Sequence, residues 1–221
     1  MTAGMRIDFY ADTVCPWCYV AMRRLRSALP MRPQYAPQVR WRPFELNPEL
    51  PIAGMERAQY LAARVADFER VKEGETALAA IGKSVGIEFR FDLIARVPNS
   101  RRSHLLIAHA ARRGRQNELE ERLLRAYFEE GRDIGDIDEL VHLGVDCGLA
   151  DAEIRSALVL RTGQDAIVAA ERHAVSLGLT GVPAFVFNGV YAICGVQEVD
   201  VLVNAMDRVA AEAALRHPQD L

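Results

Sequence analysis

The tetrapeptide Cys15-Pro16-Trp17-Cys18 lies between two segments of opposite character, and that junction limits what the chain can fold into. Before it, Arg6 to Ala11 is a short, mostly apolar run that reads as a strand. After it, Pro16 to Leu29 reads as a helix, ended by Pro30 and Pro33. Pro16 suits the first helical turn, where its missing N–H is no loss. A helix N-terminus has unpaired N–H groups and a partial positive charge. Both favour a thiolate, which is the nucleophilic form of cysteine. Cys15, at the helix mouth, is therefore the expected attacking thiol. Cys18, one turn inside, is the expected resolving thiol.

The rest of the chain divides into three stretches. Val39 to Leu46 alternates apolar and polar residues and reads as a second strand, making a βαβ unit with a parallel pair. From Met55 to Leu177 the pattern is helical almost throughout. Leu61, Val65 and Phe68 share one face, Leu105, Ile107, Ala108 and Ala111 another, and Leu119, Leu123, Leu124, Tyr127 and Phe128 a third. Asn99 or Ser100 is the expected N-cap of the second of these helices. Asp136 to Cys147, Asp151 to Leu160 and Gly163 to Leu177 give three more. Ala184–Phe187 and Val190–Ile193 then form two apolar runs about Asn188-Gly189, a pair suited to a hairpin turn with positive φ at both positions. A closing amphipathic helix carries Val199, Leu202, Val203, Met206 and Val209. The expected fold is α/β: a thioredoxin-like βαβ…ββα core with a large all-helical insertion after the second strand. The divisions are residues 1–54 and 178–221 for the core and 55–177 for the insertion.

Composition narrows the function. A formal net charge of -3 gives no footprint for nucleic acid. No apolar run is long enough to span a bilayer, and Asp8 and Asp12 interrupt the one early apolar stretch. The expectation is a cytoplasmic protein that engages neither membrane nor nucleic acid. Four cysteines are too few for a disulfide scaffold. Cys15 and Cys18 as half of a zinc site would need two further ligands, and neither a second Cys-x-x-Cys nor a His-x-x-x-His is present. No metal is expected. Cys147 and Cys194 read as buried small hydrophobes.

Two further features belong with the dithiol. Trp17 is either a partly exposed residue shaping a docking surface or ordinary packing. Val182-Pro183 immediately precedes an apolar strand; a cis bond there would place the Val182 backbone beside the thiols, able to pair with an extended substrate.

Cys-Pro-Trp-Cys after an Asp-Phe-Tyr strand, Thr-Gly-Val-Pro before the hairpin, and the helical insertion together resemble the DsbA family, more narrowly its cytoplasmic FrnE-like branch. The resemblance covers nearly the whole chain. It implies a thiol–disulfide oxidoreductase or isomerase, with Cys15 as nucleophile, Cys18 as resolver and a cis bond before Pro183. Pro16, Trp17, Val182 and Pro183 would position substrate. Asp8 resembles the buried acid that many thioredoxin-fold enzymes place beneath the resolving cysteine, which makes it a candidate proton acceptor. The alternative is a surface strand residue, since alternation with Ile7 and Phe9 could turn Asp8 to the other face. Trp17 stands where periplasmic relatives carry a thiolate-holding histidine, which argues against extreme oxidising power. The implied partners are a disulfide- or dithiol-containing protein or small molecule and a thiol redox partner. No bound cofactor is expected, with glutathione or another low-molecular-weight thiol as candidate cosubstrate. Two rivals stand beside this reading. One is a glutathione-dependent transferase or isomerase of the kappa or 2-hydroxychromene-2-carboxylate isomerase type, which typically has serine at the nucleophile position. The other is a non-enzymatic client-binding module.

Overall fold

The computed structural model describes residues 4–64 and 68–216. Strand β1 (Arg6–Ala11) runs into helix α1 (Pro16–Ala28), and two 3-10 turns at Leu29–Met31 and Pro33–Tyr35 carry the chain back to β2 (Gln38–Pro43). β2 stops short of the expected Leu46. Phe44 still donates its N–H to the Ala11 carbonyl at 3.2 Å, but Ala11 ends β1, and beyond it the Leu46 N–H is captured by the Asp12 carboxylate at 2.7 Å.

Helices α2 (Arg57–Arg64), α3 (Phe68–Ser84), α4 (Arg101–Ala111), α5 (Gln116–Phe128), α6 (Ile137–Asp146), α7 (Asp151–Val159) and α8 (Gln164–Ser176) follow. Within this block a two-residue ladder, β3 (Met55–Glu56) with β4 (Arg96–Val97), was not expected from the pattern. Two residues are too few to show alternation, so it is visible only in three dimensions. Of the first expected helix stripe, Leu61 belongs to α2, Val65 lies outside the described residues, and Phe68 is half-exposed at the start of α3. The α5 stripe is buried throughout. Asn99, not Ser100, supplies the side chain at the α4 start, its Oδ1 accepting from the Arg101 N–H at 3.1 Å.

The chain closes with β5 (Ala184–Phe187), β6 (Tyr191–Cys194) and α9 (Val199–Arg216). The turn between the strands has positive φ at both Asn188 (49°) and Gly189 (75°). Val190 belongs to that turn, not to the strand, and its N–H donates to the Phe187 carbonyl. The main sheet has the order β2-β1-β5-β6, with β1 parallel to β2 and antiparallel to β5.

Alternation on the two central strands divides the core. Ile7, Phe9, Ala11, Phe185 and Phe187 pack with α1 and α9 on one face. Tyr10, Ala184 and Val186 meet Ala174 of α8 and Leu179 on the other. Both faces of β5 are therefore covered, which explains its continuous apolar sequence, while on β1 Arg6 and Asp8 share the second face with Tyr10. Phe9 stacks on Phe185 and meets Trp41 of β2 edge-on, so three strands share one aromatic seam. A second aromatic cluster, Tyr19, Phe89, Phe91, Tyr127 and Phe128, joins α1 to the helical block.

One buried carboxyl opposes this packing. Glu120 on α5 is 2 % exposed, and its Oε1 has no hydrogen-bond partner. Burial pushes its pKa up to about 8, against the opposing pull of Arg26 and Gln116. An unfolded glutamate titrates near ~4.3. Between these values the folded chain binds more protons than the unfolded one, so this residue lowers stability as pH rises from ~4.3 to about 8. Glu120→Gln should remove that dependence. In urea unfolding, the stability gain of the variant over wild type should grow across this window to a few kcal/mol and then level off. A pH-independent difference would mean that Glu120 does not carry the proton.

Candidate functional site

The turn Asp12-Thr13-Val14 joins β1 to α1 and places Cys15 at the N-cap of the helix. Cys15 has extended backbone geometry (φ −95°, ψ 110°), as an N-cap requires. Its sulfur accepts the Cys18 N–H at 3.4 Å, and its carbonyl receives the Cys18 and Tyr19 N–H groups at 3.0 and 3.3 Å. The sulfur therefore occupies the place a serine or aspartate oxygen takes in an ordinary cap. Pro16 fills the first helical position, and Trp17 projects outward, 42 % exposed.

The two thiols differ in surroundings. Cys15 is 4 % exposed and Cys18 is fully enclosed; both are free thiols. Burial drives the Cys18 thiol well above the ordinary cysteine range. The Cys15 sulfur and the Asp12 carboxylate add to this, and the Asp12 main chain opposes it.

Asp12, not Asp8, is the carboxylate beside the dithiol. Asp8 lies on the sheet face away from α1 and forms an ion pair with Arg6 at 3.0 Å. The candidate role for Asp8 is corrected by strand alternation: Ile7 and Phe9 take the α1 face, which turns Asp8 to the other. Asp12 has no exposed surface. Its Oδ1 accepts from the Val14 N–H at 3.4 Å and from His104 Nε2 at 3.2 Å, and its Oδ2 from the Leu46 N–H at 2.7 Å. His104, itself buried on α4, receives the Trp41 indole N–H on Nδ1 at 3.2 Å. A second contact pins the same turn to α4: Ser103 Oγ donates to the Ser100 carbonyl, so Thr13 Oγ1 donates to Ser103 Oγ at 2.6 Å. Sequence reasoning saw Asp12 only as an interruption of an apolar run and missed His104. The pair is separated by 92 residues, and no local pattern marks it.

The Val182–Pro183 bond is cis. It lies at the start of β5, one residue before Ala184, which pairs with Tyr10 near the end of β1. The bond and the dithiol turn thus leave the same end of the sheet. The Pro183 carbonyl accepts from the Gly195 N–H at 2.8 Å, and Val182 packs against both halves of the core.

Beside the dithiol, a cleft of about 400 Å³ opens between the β1–α1 turn and the helical block. Val14, Pro16 and Leu46 form its near wall, and Tyr60, Phe91 and Phe128 lie opposite. Arg57 and Arg64 stand at the same cleft, paired to Glu75 and Glu49. Cys147 is half-buried at the end of α6. Cys194 is exposed on β6, contrary to the expectation that it is a buried small hydrophobe. Its side chain alternates out of the sheet, and β6 is an edge strand. Among the described residues, no group of three or more His, Cys, Asp or Glu side chains is arranged to hold a metal ion. Among the same residues, no helix is long and apolar enough to cross a membrane.

Residues 6–207 match the model of the DSBA-like thioredoxin domain. The chain belongs to the DSBA-like thioredoxin family. The protein YwbO of Bacillus subtilis, itself uncharacterized, is 30% identical over 203 residues, spanning 91% of this chain and 96% of that protein. A probable DsbA oxidoreductase from Streptomyces coelicolor superposes with a TM-score of 0.87 at 32% identity, covering 94% of this chain and 91% of its own. The cytosolic disulfide reductase DsbM from Pseudomonas aeruginosa shares the fold at a TM-score of 0.65 and 21% identity, over 96% of this chain and 98% of its own. It has also been solved with GSH.

Differential burial predicts a labelling pattern. Iodoacetamide applied to the reduced native protein at pH 8 should modify the exposed Cys194 and leave the enclosed Cys18 intact until denaturant is added. Peptide mass mapping would read it. Early modification of Cys18 would contradict the burial described here.

Proposed function

We propose that this protein is a dithiol–disulfide oxidoreductase that works through Cys15 and Cys18. The observation that carries the reading is the asymmetry of the two sulfurs at the α1 N-terminus. Cys15 receives a helix N–H on its sulfur, while enclosed Cys18 is held as a thiol well above the usual range. In the reducing direction, the Cys15 thiolate attacks one sulfur of a substrate disulfide and expels the other as a thiolate. The Cys18 thiol then gives up its proton and its sulfur attacks Cys15, breaking the mixed disulfide and releasing the second substrate thiol. The substrate gains two electrons, and the protein is left as the Cys15–Cys18 disulfide. A thiol redox partner restores the dithiol. The reverse sequence oxidises a substrate dithiol.

The cleft beside Pro16 gives the substrate a place to lie, and in this reading the Val182–Pro183 backbone and the exposed Trp17, outside the cleft lining, help to position it. The size of the cleft and the two arginines at it support a low-molecular-weight thiol such as glutathione as cosubstrate. The Cys-Pro-Trp-Cys sequence supports placement in the FrnE-like branch, and a cysteine count too low for a disulfide scaffold suits a reducing, cytoplasmic setting. The intact dithiol weighs against the transferase-type reading, which expects serine in place of Cys15.

The test is a trapping experiment. Cys18→Ser should accumulate a mixed disulfide with a peptide or glutathione disulfide, seen as a mass adduct that dithiothreitol removes. Cys15→Ser should form no adduct at this site and lose exchange activity by at least about a hundredfold, since a hydroxyl is a poor nucleophile toward sulfur. Normal turnover by Cys15→Ser would refute the reading. An adduct on Cys18 would reverse the two roles.

A further inference from the structure

His104 comes from the helical block, yet its ring ends at the dithiol turn. The indole N–H of Trp41 can only donate, so His104 Nδ1, at 3.2 Å from it, must accept. The ring proton is thereby fixed on Nε2, which faces Asp12 Oδ1 at 3.2 Å. A doubly protonated ring would set an N–H against the Trp41 N–H, so this arrangement holds the neutral Nε2–H tautomer. Asp12 in turn takes its other two hydrogen bonds from main-chain N–H groups, Val14 of the dithiol turn and Leu46 after β2. Trp41, His104 and Asp12 thus form a directed chain, each member donating to the next, that ends one residue pair short of Cys15. All three are buried.

We propose that His104 is a positioning residue for the dithiol, acting through Asp12: its Nε2–H holds the Asp12 carboxylate as a charged acceptor beside the Cys15–Cys18 pair and so sets the pair's balance between dithiol and disulfide. The inference rests on the dithiol reading given above. The physical link is charge. A buried negative group next to the sulfurs disfavours thiolate and so disfavours the reduced form. A buried carboxylate stripped of one of three donors has an oxygen left short of a partner and is no longer held in place. Removal of the His104 donor therefore frees the Asp12 carboxylate from its place beside the sulfurs, and the reduced dithiol gains. The glutamine side chain has both groups the chain needs, a carbonyl oxygen to accept from Trp41 and an amide to donate to Asp12.

The experiment is the equilibrium constant of the Cys15–Cys18 pair with dithiothreitol, read by alkylation and mass at a series of reduced-to-oxidised ratios at pH 7. His104→Leu and Asp12→Asn should each shift the constant about tenfold toward the reduced protein, or ~30 mV for a two-electron couple. The double variant should shift no further than Asp12→Asn alone, because one residue acts through the other. His104→Gln should stay within about twofold of wild type. Ser103→Ala breaks the neighbouring pin between the same turn and the same helix without touching Asp12. It should lower the melting temperature while leaving the constant unchanged. Additive shifts in the double variant, or an equal shift in Ser103→Ala, would overturn the proposal in favour of simple turn docking. If His104→Leu does not fold, a shifted constant in His104→Gln overturns it equally. A wild-type pair that closes to a disulfide alongside an unshifted His104→Leu sinks this inference alone. A wild-type pair that closes at no ratio sinks the dithiol reading and this inference with it.

Discussion

The site depends on a carboxylate with no access to water. Asp12 sits at the end of β1, and burial of such a group is costly unless its oxygens are satisfied. Its three donors come from three places: the dithiol turn itself, the segment after β2, and α4. None of the three can shift without leaving a buried charge short of a partner. The turn that presents Cys15 is therefore held from outside as well as by its own backbone, and α4 is as much a part of the site as α1. The Thr13–Ser103 contact repeats the pattern one residue on, with neutral hydroxyls in place of charge.

This arrangement explains how one turn can serve two unlike thiols. α1 presents its N-terminal N–H to the Cys15 sulfur, and the same helix buries Cys18 under the core. Burial first, then the neighbouring Cys15 sulfur, keep the second thiol protonated, and the Asp12 charge adds a smaller push in the same direction. The sheet contributes by bringing the Val182–Pro183 bond to the same end as the turn, through the antiparallel pairing of β5 with β1.

Much of the fold could be read from sequence because its signals are local. β5 is apolar on both faces, Pro16 marks the first turn of α1, and Asn188-Gly189 adopts the two positive φ values its composition demands. The cysteine pair and the cis bond before Pro183 were legible for the same reason. What escaped were features made by contact alone. The β3–β4 ladder is two residues long, and Asp12 finds His104 92 residues on, inside the helical block. Asp8 had two open readings, and alternation with Ile7 and Phe9 decides for the face away from α1, where it pairs with Arg6. Cys194 was misjudged because an apolar run does not reveal that it forms a sheet edge.

The order of strands also has a consequence for how the chain acquires its shape. β1 is central in the sheet, yet its antiparallel partner β5 is encoded about 170 residues later. Bringing the two together closes a very long loop, whose entropy cost must be met before the contact returns anything. During synthesis, the first βαβ unit emerges with one side of β1 unpaired, and the helices that cover Cys18 are still unmade. The cysteines thus emerge well before the elements that enclose Cys18 in the folded protein.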